Sequence, residues 1–106
     1  MAKFIYLYRG PAPLAEPTPQ QSAERMVAFG AWMEKVGTAL VDVGSPFGTS
    51  GAVRDDGTAG PASDLIGYSI VEADNLAAAK AFTEGLPFLS SHDGTCTVDI
   101  FELLSM

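Results

Sequence analysis

Cysteine, histidine and basic residues are scarce in this chain of 106 residues. The single cysteine, Cys96, cannot close an intramolecular disulfide, and the single histidine is His92. Six Lys and Arg residues stand against thirteen Asp and Glu residues, which gives a formal net charge of −7. Because the few basic residues are scattered, we do not expect the chain to bind nucleic acid.

Long apolar runs, secretion signals and cofactor motifs are also missing. No run approaches the roughly 20 apolar residues of a membrane-spanning helix. The first eight residues, MAKFIYLY, lack the length and the cleavage signal of a secretory leader. We therefore expect a cytoplasmic protein with no membrane partner. The sequence shows neither metal-ligand spacing nor a phosphate-binding glycine loop, so we expect no metal and no cofactor.

The pattern of apolar residues predicts a single α+β domain over residues 1–106. Four segments favour strands: 3–9, 38–43, 65–73 and 95–104. Thr18, Pro19 and Gln21 predict the start of a helix by an N-cap hydroxyl, a first-turn proline and a capping-box glutamine. A second helix is expected over residues 75–84, with Asp74 as its N-cap.

The first predicted helix carries an apolar stripe. Met26, Phe29, Met33 and Val36 recur at helical spacing, and Trp32 widens the stripe. Packing against a sheet accounts for such a stripe more simply than ligand contact does, although Trp32 is also a candidate ligand-binding residue.

The segment 48–64 is long and rich in Gly, Ser, Thr, Ala and Asp. Ala52-Val53-Arg54 resembles a short extended piece, and the turn sequence Asp55-Asp56-Gly57 comes next. Long loops of this kind often form a lid or the rim of a cleft, but a solvated connection between strands explains the composition equally well.

Several segments resemble the YCII-related (DGPF-type) domain family: GYSIVEAD at 67–74, the helix at 77–82, LPFL at 86–89 and TVDIFEL at 97–103. The resemblance implies a ferredoxin-like βαββαβ fold with an antiparallel sheet, which pairs as a dimeric α/β barrel and has a cleft between sheet and loops. Two features depart from the family. The Asp-Gly-Pro-Phe signature is absent, and Leu86 stands where related members often carry a histidine.

Two residues are candidates for catalysis. His92 can exchange protons near neutral pH, and Asp93 follows it directly, although His92-Asp93-Gly94 also suits an exposed turn. Asp99 lies in the last predicted strand between apolar neighbours, where burial would raise its pKa; exposure to solvent or a salt bridge across the dimer is the simpler alternative.

Ligand-binding candidates come from the aromatic and basic residues. Tyr6 and Tyr8 share one face of the first strand, and Arg9 or Arg54 could receive an anionic group. The function we expect is a homodimeric domain that binds a small metabolite. The alternatives are a cofactor-independent isomerase, hydrolase or monooxygenase that uses Asp99, His92 or a tyrosine, and a structural partner domain.

Overall fold

Four strands of the chain form one antiparallel sheet. The computed structural model describes residues 2–10, 18–89 and 94–105. The strands are β1 (Ala2–Arg9), β2 (Leu40–Pro46), β5 (Leu65–Ala73) and β6 (Thr97–Leu103), in the order β2-β5-β1-β6. Two short strands, β3 (Ala52–Val53) and β4 (Ala59–Gly60), form a separate hairpin.

Two helices complete the fold. Helix α1 (Pro19–Val36) connects β1 to β2, and helix α2 (Leu76–Ala81) connects β5 to β6. The order of elements in the main sheet is therefore βαββαβ, with the first and third of its strands adjacent at the centre. This is the predicted ferredoxin-like α+β arrangement.

The start of α1 follows the predicted capping box. The Thr18 hydroxyl accepts a hydrogen bond from the amide of Gln21 at 3.1 Å, and the Thr18 amide donates to the Gln21 side chain at 3.0 Å. Gly37, with φ of 62°, ends the helix. Both capping hydrogen bonds join residues three positions apart, so the local sequence is sufficient to predict this helix start.

The predicted cap of α2 is wrong by one residue. The side chain of Asn75, not Asp74, accepts from the amide of Ala78 at 2.8 Å. Asp74 lies one residue too early to reach the same amide. The helix also ends sooner than predicted, because the backbone turns after Ala81 instead of continuing to Glu84.

Strand β2 differs most from its prediction. Residues 37–39 form a 3-10 turn, and the strand runs to Pro46 instead of ending at Val43. Gly44 has φ of 80°, and the register with β5 shifts between Asp42 and Ser45. Gly44 therefore forms a bulge within the strand, where the sequence suggested a turn that ends it.

The core lies on the face of the sheet that both helices cover. Its buried members are Phe4, Tyr6, Trp32, Val36, Val71, Ala73, Ala79 and Leu86. Phe29 and Met33 pack against this cluster, as the stripe predicted. Met26 does not, since 76% of its side chain is exposed, so the apolar stripe of α1 enters the core only from Phe29 onward.

Three side chains cap carbonyl groups at the end of α2. The Tyr6 hydroxyl donates to the Ala79 carbonyl at 2.5 Å. The Trp32 indole donates to the Phe82 carbonyl at 2.6 Å, and the Lys35 ammonium donates to that of Glu84 at 2.9 Å. The Ala79 carbonyl belongs to α2, and those of Phe82 and Glu84 belong to the turn that follows it, so the donors from β1 and α1 hold α2 and this turn in place.

We predict that Gly44→Ala destabilises the protein by about 3 kcal/mol or more. An added Cβ would lie 1.7 Å from the Tyr68 carbonyl oxygen, and the positive φ disfavours any side chain. Urea unfolding measures the loss. Gly48→Ala is the matched control, because an added Cβ there meets nothing within 4 Å. Equal unfolding free energies for the two variants would contradict the proposed bulge.

We also predict a stability loss at alkaline pH that depends on Tyr6. Burial, and then the charge of Tyr8, raise the pKa of Tyr6 well above its ordinary value of 10.0. Above about pH 10 the unfolded chain therefore loses this proton while the folded chain keeps it, so stability declines as pH rises. Below pH 10 that contribution is fully present.

The variant Tyr6→Phe should lower the free energy of unfolding at pH 7 by about 1 kcal/mol or more, since the Ala79 carbonyl loses its donor. It should also flatten the decline above pH 10. Urea unfolding between pH 7 and 11 measures both effects. An unchanged alkaline slope in Tyr6→Phe would show that another group is responsible.

Candidate functional site

A cavity of about 540 Å³ opens between the end of β2 and the loop that leads into β5. Its lining residues are Pro46, Phe47, Gly48, Thr49, Ser50, Ala52, Ala62, Ser63 and Leu65. We call it the loop cavity. None of these lining residues is ionisable, and three of them, Thr49, Ser50 and Ser63, offer hydroxyl groups. The described wall of the loop cavity can therefore contact apolar surface and form neutral hydrogen bonds.

Phe47 is the aromatic residue of this wall. Its amide donates to the Ile66 carbonyl at 2.8 Å, which continues the pairing of β2 with β5 for one further residue. Its ring stacks on Tyr68, with the centroids 5.9 Å apart and the planes inclined by 20°. Because 43% of Phe47 remains exposed, part of the residue is available to a ligand.

Asp42 connects Tyr68 to the bulge in β2. One oxygen of its carboxylate accepts from the Tyr68 hydroxyl at 3.2 Å, and the other accepts from the Gly44 amide at 2.8 Å. The negative charge of Asp42, and then the hydrogen bond to it, raise the pKa of Tyr68. At neutral pH Tyr68 is therefore a hydrogen-bond donor and not a base.

A chain of hydrogen bonds crosses three strands near the same end of the sheet. The Tyr8 hydroxyl donates to the Ser69 hydroxyl at 2.7 Å, which donates in turn to the Val43 carbonyl at 2.7 Å. Burial raises the pKa of Tyr8, while its bond to Ser69 acts in the opposite direction. Gly67 pairs with both Tyr8 and Pro46, so this chain and the loop cavity share one end of β5.

The structure places the predicted ligand-binding residues away from the loop cavity. Tyr6 and Trp32 are buried in the core, and each donates to a carbonyl at the end of α2. Arg54 lies in the β3–β4 hairpin, where its guanidinium donates to the Thr58 hydroxyl at 3.3 Å and to the Ala59 carbonyl at 3.2 Å. The structure brings Tyr6 and Trp32 together in the core, with ring centroids 6.5 Å apart, and Arg54 does not join them.

Of the two predicted catalytic residues, the structure describes Asp99 only. His92 lies outside the described residues. Asp99 pairs with Arg9, with 3.3 Å between the guanidinium nitrogen and the carboxylate oxygen. Both side chains are partly exposed. This ion pair lies within one chain, whereas the salt bridge considered for Asp99 was one across the dimer, which stays a prediction.

A second, smaller cavity of about 370 Å³ lies at the other end of β1. It is lined by Ala2, Phe4, Asp74, Asn75, Leu76, Ile100, Phe101 and Glu102. Over residues 2–10, 18–89 and 94–105, no three His, Cys, Asp or Glu side chains are grouped as a metal site. In the same ranges, no helix has the length and apolar character to cross a membrane.

Sequence reasoning missed the Phe47–Tyr68–Asp42 group. One signal was present, because Phe47 is a large aromatic residue in a segment otherwise composed of Gly, Ser, Pro and Thr. The pairing itself depends on the register between β2 and β5, which the bulge at Gly44 shifts.

Comparison with known proteins gives a family and one fold relative. The family model of the YCII-related domain matches residues 1–104, whereas the curated proteins contain no match. Among solved structures, the chain is similar to 5-chloro-2-hydroxyhydroquinone dehydrochlorinase from Burkholderia phenoliruptrix AC1100, in complex with 2,5-dihydroxybenzoquinone. The two are 21% identical with a TM-score of 0.56, over 98% of this chain and 94% of the other, and this likeness shows the fold. Since the family match spans nearly the whole sequence, the chain belongs to the YCII-related domain family.

Proposed function

We propose that this protein is a homodimer that binds a small, uncharged metabolite in the loop cavity. The observation that carries the proposal is the cavity itself. Its volume of about 540 Å³ lies within the range of ligand pockets, and it combines apolar surface with a few hydroxyl groups. Membership of the YCII-related family and the dehydrochlorinase-like fold fit a small-molecule-binding or enzymatic domain.

The lining of the loop cavity favours an uncharged ligand. A charged group that enters a cleft loses part of its hydration and needs an opposite charge or several strong hydrogen bonds in return. The described lining residues provide no charged side chain. Phe47 offers an aromatic surface, and a planar ring is the shape that stacks on it.

The homodimer is proposed from the face of the sheet opposite to the helices, which we call the open face. Leu7 at its centre pairs with Tyr68 on one side and Asp99 on the other. Phe101 is 56% exposed and Leu103 is 41% exposed on the same face. A single solvated sheet face normally carries polar side chains, so this apolar surface favours a protein partner.

The charges on the open face fit a second copy of this chain. Arg9 pairs with Asp99, and Lys3 lies beside Glu72 across the strands, so the positive and negative groups offset one another. Asp42, which accepts from the Tyr68 hydroxyl, adds one further negative group at the edge of this face. The overall charge of −7 on each copy still opposes association, so salt should strengthen the dimer.

Proton transfer has less support than binding. The pKa values of Tyr8 and Tyr68 are raised, so both phenols keep their protons at neutral pH and act as donors. Asp99 is held by Arg9 on the open face. The enzyme alternative would need His92 or Asp99 to reach a bound ligand, and turnover that survives His92→Ala combined with Asp99→Asn would exclude these roles.

We predict that Leu7→Arg converts the dimer into a folded monomer. The change places an unpaired charge at the centre of the proposed interface, which should raise the dimer dissociation constant at least about 30-fold. Sedimentation velocity at micromolar concentration measures the association, and circular dichroism reports the fold. Val27→Arg is the control, since Val27 is 75% exposed on α1. A wild-type protein that sediments as a monomer would contradict the proposed dimer.

We predict that benzamide binds in the loop cavity more tightly than benzoate, which has nearly the same shape but a negative charge. Ala62→Phe, which fills the loop cavity from its wall, should weaken benzamide binding by about tenfold or more. Titration followed by NMR chemical shifts measures both affinities.

Ala59→Phe is the matched control for this experiment, because Ala59 is exposed on β4 and does not line the loop cavity. Benzoate that binds as tightly as benzamide would refute the uncharged ligand. Benzamide binding that Ala62→Phe leaves unchanged would refute the location.

A further inference from the structure

We infer that ligand binding in the loop cavity and dimerisation through the open face stabilise each other, with the stacked Phe47–Tyr68 pair as the link. The inference rests on the proposed function, because it needs both a ligand and a second copy. It adds a regulatory consequence: the ligand shifts the protein toward the dimer, and the dimer holds the ligand more tightly.

Phe47 and Tyr68 lie on the same side of the sheet and touch each other, since Ser45 pairs with Tyr68 and the Phe47 amide bonds to the Ile66 carbonyl. Phe47 lines the loop cavity. Tyr68 lies on the open face, because it pairs across the strands with Leu7 and alternates with the buried Ser69. Their rings stack with centroids 5.9 Å apart. A ligand that binds against Phe47 and a partner copy that packs against Tyr68 would therefore contact the two rings of one stacked pair.

Hydrogen bonds fix this pair to the backbone that shapes the loop cavity. The Asp42 carboxylate accepts from the Tyr68 hydroxyl at 3.2 Å and from the Gly44 amide at 2.8 Å. The Gly44 bulge in turn sets the path of β2 into Pro46 and Phe47. Restricting Tyr68 thus also restricts the bulge and the cavity wall that follows it.

The sign of the coupling follows from the shared cost of ordering. Phe47 is 43% exposed, and Tyr68 is half-buried on the open face. Each ring therefore becomes more restrained when a ligand or a partner copy covers it. Whichever comes first, ligand binding or dimerisation, orders the stacked pair. The second event then loses less conformational entropy. Linkage requires that a ligand bound to each copy tighten the dimer by the square of the factor by which dimerisation tightens the ligand at each site.

The experiment measures the coupling in both directions on the full chain, with benzamide as the probe. Sedimentation equilibrium gives the dimer dissociation constant without benzamide and with a saturating concentration. NMR titration gives the benzamide affinity for the wild-type dimer and for the Leu7→Arg monomer. We expect dimerisation to tighten benzamide binding at each site by about fivefold or more, and saturating benzamide to tighten the dimer by the square of that factor.

Two aromatic-to-leucine variants test whether the Phe47–Tyr68 pair carries the coupling between ligand binding and dimerisation. Tyr68→Leu keeps an apolar side chain on the open face but removes the stack and the bond to Asp42, so the coupling factor should approach one. Phe101→Leu makes the same kind of change on the open face at a position that does not line the loop cavity. It should weaken the dimer and leave the coupling factor unchanged. Tyr68→Phe, which keeps the ring, serves if Tyr68→Leu does not fold, and its coupling should be reduced.

Each outcome decides between the claims. A wild-type protein that dimerises and binds benzamide with a coupling factor of one, or with a ligand that dissociates the dimer, overturns the inference and leaves the proposed function standing. Full coupling retained in Tyr68→Leu overturns the role of the Phe47–Tyr68 pair. Absence of benzamide binding or of the dimer overturns the proposed function, and the inference with it.

Discussion

The fold depends on how the end of helix α2 is held. This helix has only six residues, which is too short to be stable by itself, and its last carbonyl groups need donors. Tyr6 from β1, together with Trp32 and Lys35 from α1, donates to the carbonyls of Ala79, Phe82 and Glu84. Three bonds that are long-range in sequence thus join both halves of the βαββαβ repeat, and two of them come from aromatic residues that are also core members.

This use of the aromatic residues explains why sequence reasoning predicted the fold better than the site. Strand β5 and the start of α1 were predicted with their correct bounds, because alternation and a capping box are local signals. Tyr6 and Trp32 were singled out as ligand-binding candidates from residue type alone. Their hydroxyl and indole groups are already bonded to backbone carbonyls, and no local pattern in the sequence indicates such distant partners.

The misplaced boundaries have a similar cause. Asp74 and Asn75 are both good N-cap residues, and the choice between them depends on where the backbone leaves β5. The sequence Gly44-Ser45-Pro46 is typical of a turn, yet pairing with β5 continues through it because a positive φ at Gly44 permits a bulge. The Phe47–Tyr68 contact follows from that bulge, and therefore it could not be predicted without the register.

Polar side chains on the helix side of the sheet are already hydrogen-bonded within the protein. On the helix side, Tyr6 bonds to Ala79 and Tyr8 bonds through Ser69 to the Val43 carbonyl, and no buried side-chain nitrogen or oxygen within the described ranges lacks a partner. A ligand on that side would have to break bonds that hold the core. Leu86, which stands where related members often carry a histidine, is also buried among these core residues. The surfaces with exposed groups include the open face and the wall around Phe47. Tyr68 and Phe47 stack on one another, so a single aromatic contact joins these two surfaces.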